Sequence, residues 1–192
     1  MNMKVGWGLC CFALLIAGCA TSSKTRTPIL VTGPKKSEKE HAQTRVATRK
    51  PLTGEKRWFA LDQWAIDDAL VGNLAKAKSE GNELLAGAEK HKNDFSYGNA
   101  IHRGNIALGL VALQQGNTND AKKYLMLAAR TPGSPQLDSF GPDTTLAKQL
   151  LDRGEKAAVV DYLAQCGSFY RGAELQRWIQ QIHSGQTPSH WR

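Results

Sequence analysis

The sequence predicts an all-α chain: about three helical hairpins closed by a C-terminal helix and preceded by a disordered basic tether. Three observations carry this prediction. Two apolar runs of helical length flank Gln115-Gly116-Asn117 within Gly104–Arg130. The second run places Ala121, Tyr124, Leu125 and Ala128 at offsets 0, 3, 4 and 7, which is one face of a helix. A matching pattern returns 38 residues later and, with poorer agreement, 44 residues earlier.

Taken in order, the chain opens with Lys4 before an apolar run from Val5 to Gly18. That run is shorter than the roughly 20 residues a permanent span requires, so residues 1–18 read as an export signal. It ends in Leu15-Ile16-Ala17-Gly18-Cys19, which resembles the lipobox of bacterial lipoproteins. The resemblance implies cleavage after Gly18 and diacylation of the Cys19 sulfur, with Cys19 as the acylated N-terminus. Small residues before the cut suit a narrow protease site, and the cysteine thiolate is the group that is alkylated. Acyl chains at about 0.8 kcal/mol per buried CH₂ would make the attachment effectively permanent. Ala20 at the next position resembles the outer-membrane pattern of double-membraned bacteria, so the implied location is the periplasmic face of the outer membrane. Cys10 and Cys11 fall in the removed segment, which leaves Cys166 without an intramolecular disulfide partner.

From Ala20 to Arg57 there is no aromatic residue, and Ser, Thr, Lys, Pro and Gly dominate. Such a segment offers no face whose burial could offset ordering entropy, so residues 19–57 read as a lipidated N-terminus followed by a disordered tether. Treated as a flexible coil, it would hold a domain on the order of 30–40 Å from its anchor. Residues 20–57 carry ten basic and three acidic side chains, whereas residues 58–192 carry fourteen of each. The net charge of +8 therefore resides in the N-terminal region, and the folded part is neutral. A nucleic-acid-binding domain would place its basic residues on a folded face, so that class is excluded. The tether could contact anionic headgroups or acidic envelope polymers, or act as a solvated spacer.

Residues 58–192 form the repeat domain. In its central hairpin Leu108-Gly109, Ala112, Gly116, Ala121, Leu125, Ala128 and Pro132 resemble a divergent tetratricopeptide repeat. Asn105 and Ala112 depart from that family's usual Trp and Tyr. Gly109 and Ala121 permit close helix approach, Gly116 supplies the turn, and Asn117 or Thr118 can cap the second helix. In the following hairpin, Gly154, Val159, Tyr162, Leu163 and Cys166 take the places of Gly116, Ala121, Tyr124, Leu125 and Ala128. Its first helix should begin near Pro142-Asp143. In the preceding hairpin Gly72, Ala65 and Ala77 correspond, but Glu80 and Gly81 stand where Tyr and Leu stand elsewhere. Leu175, Trp178, Ile179 and Ile182 mark a terminal capping helix. The segment from about 60 to 185, with YGNAIH at 97–102 and TPGSPQLDSFGP at 131–142, is similar to a group of uncharacterised bacterial proteins. That similarity implies a helical repeat domain and no activity.

No phosphate-cradling loop, CxxC, HExxH or GxSxG occurs, and no catalytic residue, metal or cofactor is expected. Cys166 aligns with Ala128 and reads as a packing residue. His91, Asp94 and His102 could converge as a metal or acid–base site; the plainer reading makes His102 a hydrogen-bonding partner of a helix start. Asp67 and Asp68 point about 100° apart on a helix and read as surface charges or helix-dipole partners. The irregular connections 91–98 and 133–143 supply the candidate interaction residues Phe95, Tyr97, Leu137 and Phe140, with these apolar residues read as plugs in preference to a recognition patch, and His102 and Arg103, just beyond the first connection, are added as candidates. The lipobox and tetratricopeptide resemblances imply a membrane-anchored adaptor or scaffold that binds a protein or peptide in the envelope. The alternatives are a structural accessory that uses its basic tether on cell-wall or membrane polymers, and an enzyme with a site near His91 and His102.

Overall fold

The computed structural model describes residues 37–188 and Trp191. The lipobox, the export signal and tether residues 19–36 lie outside them. Among the described residues the chain is helical, with no strand. The helices are α1 (Glu38–Thr48), α2 (Gly54–Val71), α3 (Leu74–Ala88), α4 (Tyr97–Gln114), α5 (Thr118–Ala129), α6 (Pro135–Phe140), α7 (Thr145–Leu151), α8 (Lys156–Cys166) and α9 (Glu174–His183). A 3₁₀ turn at Glu89–His91 follows α3.

The first helix corrects the tether reading. Residues 38–48 fold, and α2 begins at Gly54, so the ordered domain extends well ahead of residue 58. The local cause is a capping box: Ser37 Oγ accepts from the Glu40 N–H, and Glu40 Oε2 accepts from the Ser37 N–H at 2.6 Å. Composition missed this helix because it buries one apolar side chain, Ala42. Its ordering is offset instead by ion pairs with α2.

Gly72, Gly116 and Gly154, the residues aligned by the offsets 44 and 38, end α2, α4 and α7 with φ of +92°, +82° and +85°. Each leads into the next helix, and this conformation is cheap for glycine alone. Asn117 caps α5, its Oδ1 accepting from the Asp120 N–H at 3.1 Å. The start of α7 falls at Thr145, slightly beyond Pro142-Asp143, because Asp143 Oδ1 accepts from the Thr145 N–H.

Helix α4 is central: fourteen of its eighteen residues are buried, so it must be lined by neighbours on most sides. Ile106, Leu110 and Leu113 join Leu125, Leu146, Leu150, Leu163 and Trp178 in the main core, while Trp58, Leu61, Leu84 and Ala100 form a smaller cluster. Close approach is visible at Gly109, where a Cβ would lie 2.2 Å from Leu146 Cδ2. Gly81 likewise faces Leu108, where a Cβ would lie 3.1 Å from Cδ2. Leu175, Trp178 and Ile182 bury the inner face of α9, and the Trp178 ring stacks on Trp191. None of the described helices is long and apolar enough to cross a membrane.

Candidate functional site

The chemistry-bearing side chains gather around Arg103 and Asp143. Arg103 projects from α4 and donates from Nη2 to Gln63 Oε1 at 2.8 Å, from Nη1 to Asp143 Oδ2 at 2.9 Å, and from Nε to the Asp62 carbonyl. Asp143 answers at every polar group it has. Its N–H donates to His102 Nε2, its carbonyl accepts from the Tyr162 hydroxyl at 2.6 Å, and its second carboxylate oxygen caps α7. One turn thereby joins α2, α4, α7 and α8.

Helix α1 closes this network into a ring. Thr145 Oγ1 donates to Glu38 Oε1 at 2.7 Å, and Gln63 Nε2 donates to Asp67 Oδ1 at 2.8 Å. Arg45 then grips the Asp67 carboxylate through Nε and Nη2 at 2.6 to 3.1 Å. The path runs from Glu38 through Thr145, Asp143, Arg103, Gln63 and Asp67 back to Arg45 on α1.

Beside the ring, Asp68 receives Arg49 Nη1 at 2.5 Å, Lys76 Nζ at 3.2 Å and Asn73 Nδ2 at 2.8 Å. Arg49 also reaches Glu80 Oε1 at 3.5 Å and lies 4.6 Å above the Trp64 ring centroid. Burial raises the Asp68 carboxyl, but hydrogen bonds from Asn73 and Arg49 outweigh it and leave Asp68 below its ordinary value. At Glu80, burial together with the hydrogen bond and charge of Asp68 pushes the carboxyl up to about 7.

These positions correct the reading of Asp67 and Asp68 as surface charges. Both are fully buried, because α1 lies over them and supplies arginine counter-charges. Arg45, Arg49 and Glu38 were missed by the sequence reading. Two signals could have found them: the Ser37-x-x-Glu40 capping box, and the single helix face that Glu38, Ala42, Arg45 and Arg49 make at offsets 0, 4, 7 and 11.

The proposed histidine site does not assemble. His91 stacks on Trp58 at 3.8 Å between ring centroids and pairs with Asp94, whereas His102 is fully buried elsewhere. His102 Nδ1–H donates to the Ala128 carbonyl and Nε2 accepts from the Asp143 N–H, so both ring nitrogens are engaged and the imidazole is neutral. Burial holds its pKa below the ordinary histidine value. His102 therefore bonds just ahead of a helix start, as the plainer reading had it, and cannot face a partner. Among the described residues no three His, Cys, Asp or Glu side chains group as metal ligands. Cys166 is buried against Tyr162, and burial pushes its thiol up to about 12, far from a nucleophile's range.

Of the remaining loop residues, Leu137 is a buried plug, while Phe95 and Phe140 are 74% and 61% exposed, against the plug reading for those two. Tyr97 is half-buried and donates its hydroxyl to Glu89. Phe140, Asn99, Arg103, Gln136 and Asp143 line an open cleft of about 150 Å³. Asn99 also lines a smaller neighbouring cleft with Phe59, Asp62 and Ser96. A volume of 150 Å³ is below the usual range of roughly 300–1,000 Å³ for small-molecule pockets, so this cleft suits a protruding side chain better than a metabolite. No protein-family model, curated protein or solved structure matches the chain.

Proposed function

We propose that the chain is a lipid-anchored protein of the bacterial cell envelope whose helical domain docks a protein or peptide partner and performs no catalysis. The observation that carries the reading is the exposed aromatic rim: Phe59 and Phe140 flank two clefts that meet at Asn99, with Phe95 just ahead of Ser96 in the chain. Aromatic anchors beside convergent polar groups are the usual composition of a docking patch. In this reading α2–α3, α4–α5 and α7–α8 are three divergent tetratricopeptide-like hairpins, with α9 as their cap. The lipobox Leu15–Cys19 supplies the anchor through acylated Cys19, and the domain sits on the periplasmic face of the outer membrane.

One feature supports a second reading, an accessory that binds acidic polymers. Residues 20–36 contain Lys24, Arg26, Lys35 and Lys36 and no acidic residue. Cross-linking capture from the native envelope separates the two. The adaptor reading expects a partner lost on Phe140→Asp and retained when the four basic residues become glutamine. The reverse pattern would overturn it. Incorporation of a palmitate analogue should vanish on Cys19→Ala, and unchanged labelling would remove the anchor from the proposal.

A further inference from the structure

The inner face of α1 is unlike that of a core helix. Glu38, Ala42, Arg45 and Arg49 lie on it with Val46 half-buried beside them, and Ala42 is the one apolar side chain fully buried. The helix is thus held by polar pairings, which another segment of the same chemistry can supply. Two observations show that it fits its seat imperfectly. An open cleft of about 360 Å³ remains beside it, lined by Arg45, Arg49, Leu52, Gln63, Trp64 and Asp67 among others. In addition, Arg49 Nε is shut away without a hydrogen-bond partner, on a side chain only 9% exposed. An unmet buried donor is costly, and a better-fitting occupant would recover that cost.

We propose that α1 is the resident occupant of a docking groove floored by Asp67, Asp68 and Glu80 and bounded by Thr145. The partner that displaces it is a helical peptide segment presenting two arginines one turn apart. This inference rests on the adaptor reading and specifies its partner and its regulation. Asp67 and Asp68 demand cations, since on α3 only Lys76 reaches Asp68 and none pairs with Asp67. Arginine is favoured over lysine because the groove already uses the guanidinium fork on Asp67 and its flat face on Trp64. The short link at residues 50–53 gives the resident an effective concentration on the order of millimolar. An incoming segment must outcompete that, so docking is gated and releases α1 from the domain.

The test uses the full chain and a fluorescent peptide of residues 37–50. Wild type should bind it at least tenfold more weakly than the Arg45→Ala/Arg49→Ala chain, and a peptide with both arginines changed to glutamate should bind neither. Equal affinity of the peptide for wild type and the double variant would overturn the proposal. Hydrogen exchange on the unaltered chain gives a second reading that does not depend on the variant folding. Amides of α1 should exchange at least tenfold faster than those of α4 by local opening, and equal protection would also overturn the proposal. Groove binding without a domain-dependent envelope partner defeats the adaptor reading alone. A captured partner whose binding excess peptide leaves unchanged defeats this inference alone.

Discussion

Glu80 occupies the position that Tyr124 and Tyr162 hold in the later hairpins, and that exchange of a ring for a carboxyl sets up a titration. The groups facing Glu80 are Asp68 from α2, Arg49 from the end of α1, Lys76 one turn away on α3, and, at longer range, Arg57. Its carboxyl moves from an ordinary 4.5 up to about 7 in the fold, so the folded state holds the proton more tightly than the unfolded chain. The stability this contributes is present below about 4.5 and is lost as pH rises through about 7. Glu80→Gln should remove that loss, giving a melting temperature above wild type at about pH 8 and close to it at about pH 5. Parallel melting curves across that range would refute the assignment. His102 works with the opposite sign, since its pKa is lowered from 6.5 and protonation in the fold would break the bond from the Asp143 N–H. Its contribution is full above 6.5 and is lost as pH falls through the lowered value. His102→Ala should cost about 2–5 kcal/mol in urea unfolding, because it leaves a cavity and two buried backbone groups without partners. A loss below about 1 kcal/mol would mean that water replaces the ring.

At the scale of elements, the turn at residues 131–134 is seated directly on the first turn of α4. Thr131 Oγ1 donates to the Gly98 carbonyl at 2.7 Å, and Ser134 Oγ donates to Asn99 Oδ1 at 2.6 Å. A Cβ at Gly98 would fall 1.8 Å from the Gly133 carbonyl oxygen, a backbone atom with little room to yield. Gly98→Ala should therefore destabilise by about 2 kcal/mol or more, although alanine in a helix interior ordinarily gains about 1 kcal/mol over glycine. A neutral or stabilising result in chemical denaturation would show that the turn does not pin α4. Helices α2 to α5 and α7 to α9 were legible in the sequence, because apolar residues at helical spacing and glycine turns are what packing requires. The short α6 was hidden in what read as an irregular connection, since its six residues bury one side chain, Leu137. Helix α1 was illegible to hydrophobic patterning for the same reason that makes it interesting: its buried face is charged. The candidate site was half legible. Arg103 and Phe140 stood out in loops or beside them, but the acids that receive α1 replace the Val111 and Ala112 of the next hairpin and look like lapses in the repeat. A departure from a packing pattern is where a site belongs, because conserving the pattern there would have buried apolar side chains instead.

For the whole molecule, the consequence is that an N-terminal segment and the helical body behave as two coupled parts. Removing one arginine from a rigid core would strand a buried carboxylate, a loss of about 3–5 kcal/mol. Here the carboxylates are buried because α1 covers them, so lifting α1 returns them to water. The loss from any change in α1 is thereby capped at whatever docking α1 is worth. Arg45→Ala and Arg49→Ala should each lower stability by about 1–3 kcal/mol, the lower end applying to Arg45, whose side chain is 44% exposed. The double variant should then lose no more than the worse single variant by about 0.5 kcal/mol, and the chain should remain helical by circular dichroism. Additive losses for two residues on one helix would mean that each arginine acts alone and that α1 never leaves as a unit. Ionic strength gives the same distinction from another side. Exposed charges are screened within about 8–10 Å at physiological salt and more strongly above it, so raising salt toward about 1 M should narrow the gap between wild type and Arg45→Ala, whose side chain is 44% exposed, and leave the gap to Arg49→Ala, which is 9% exposed, largely unchanged. A gap for Arg45→Ala that salt leaves unchanged would place that guanidinium inside a permanent core, with α1 as a fixed part of the fold.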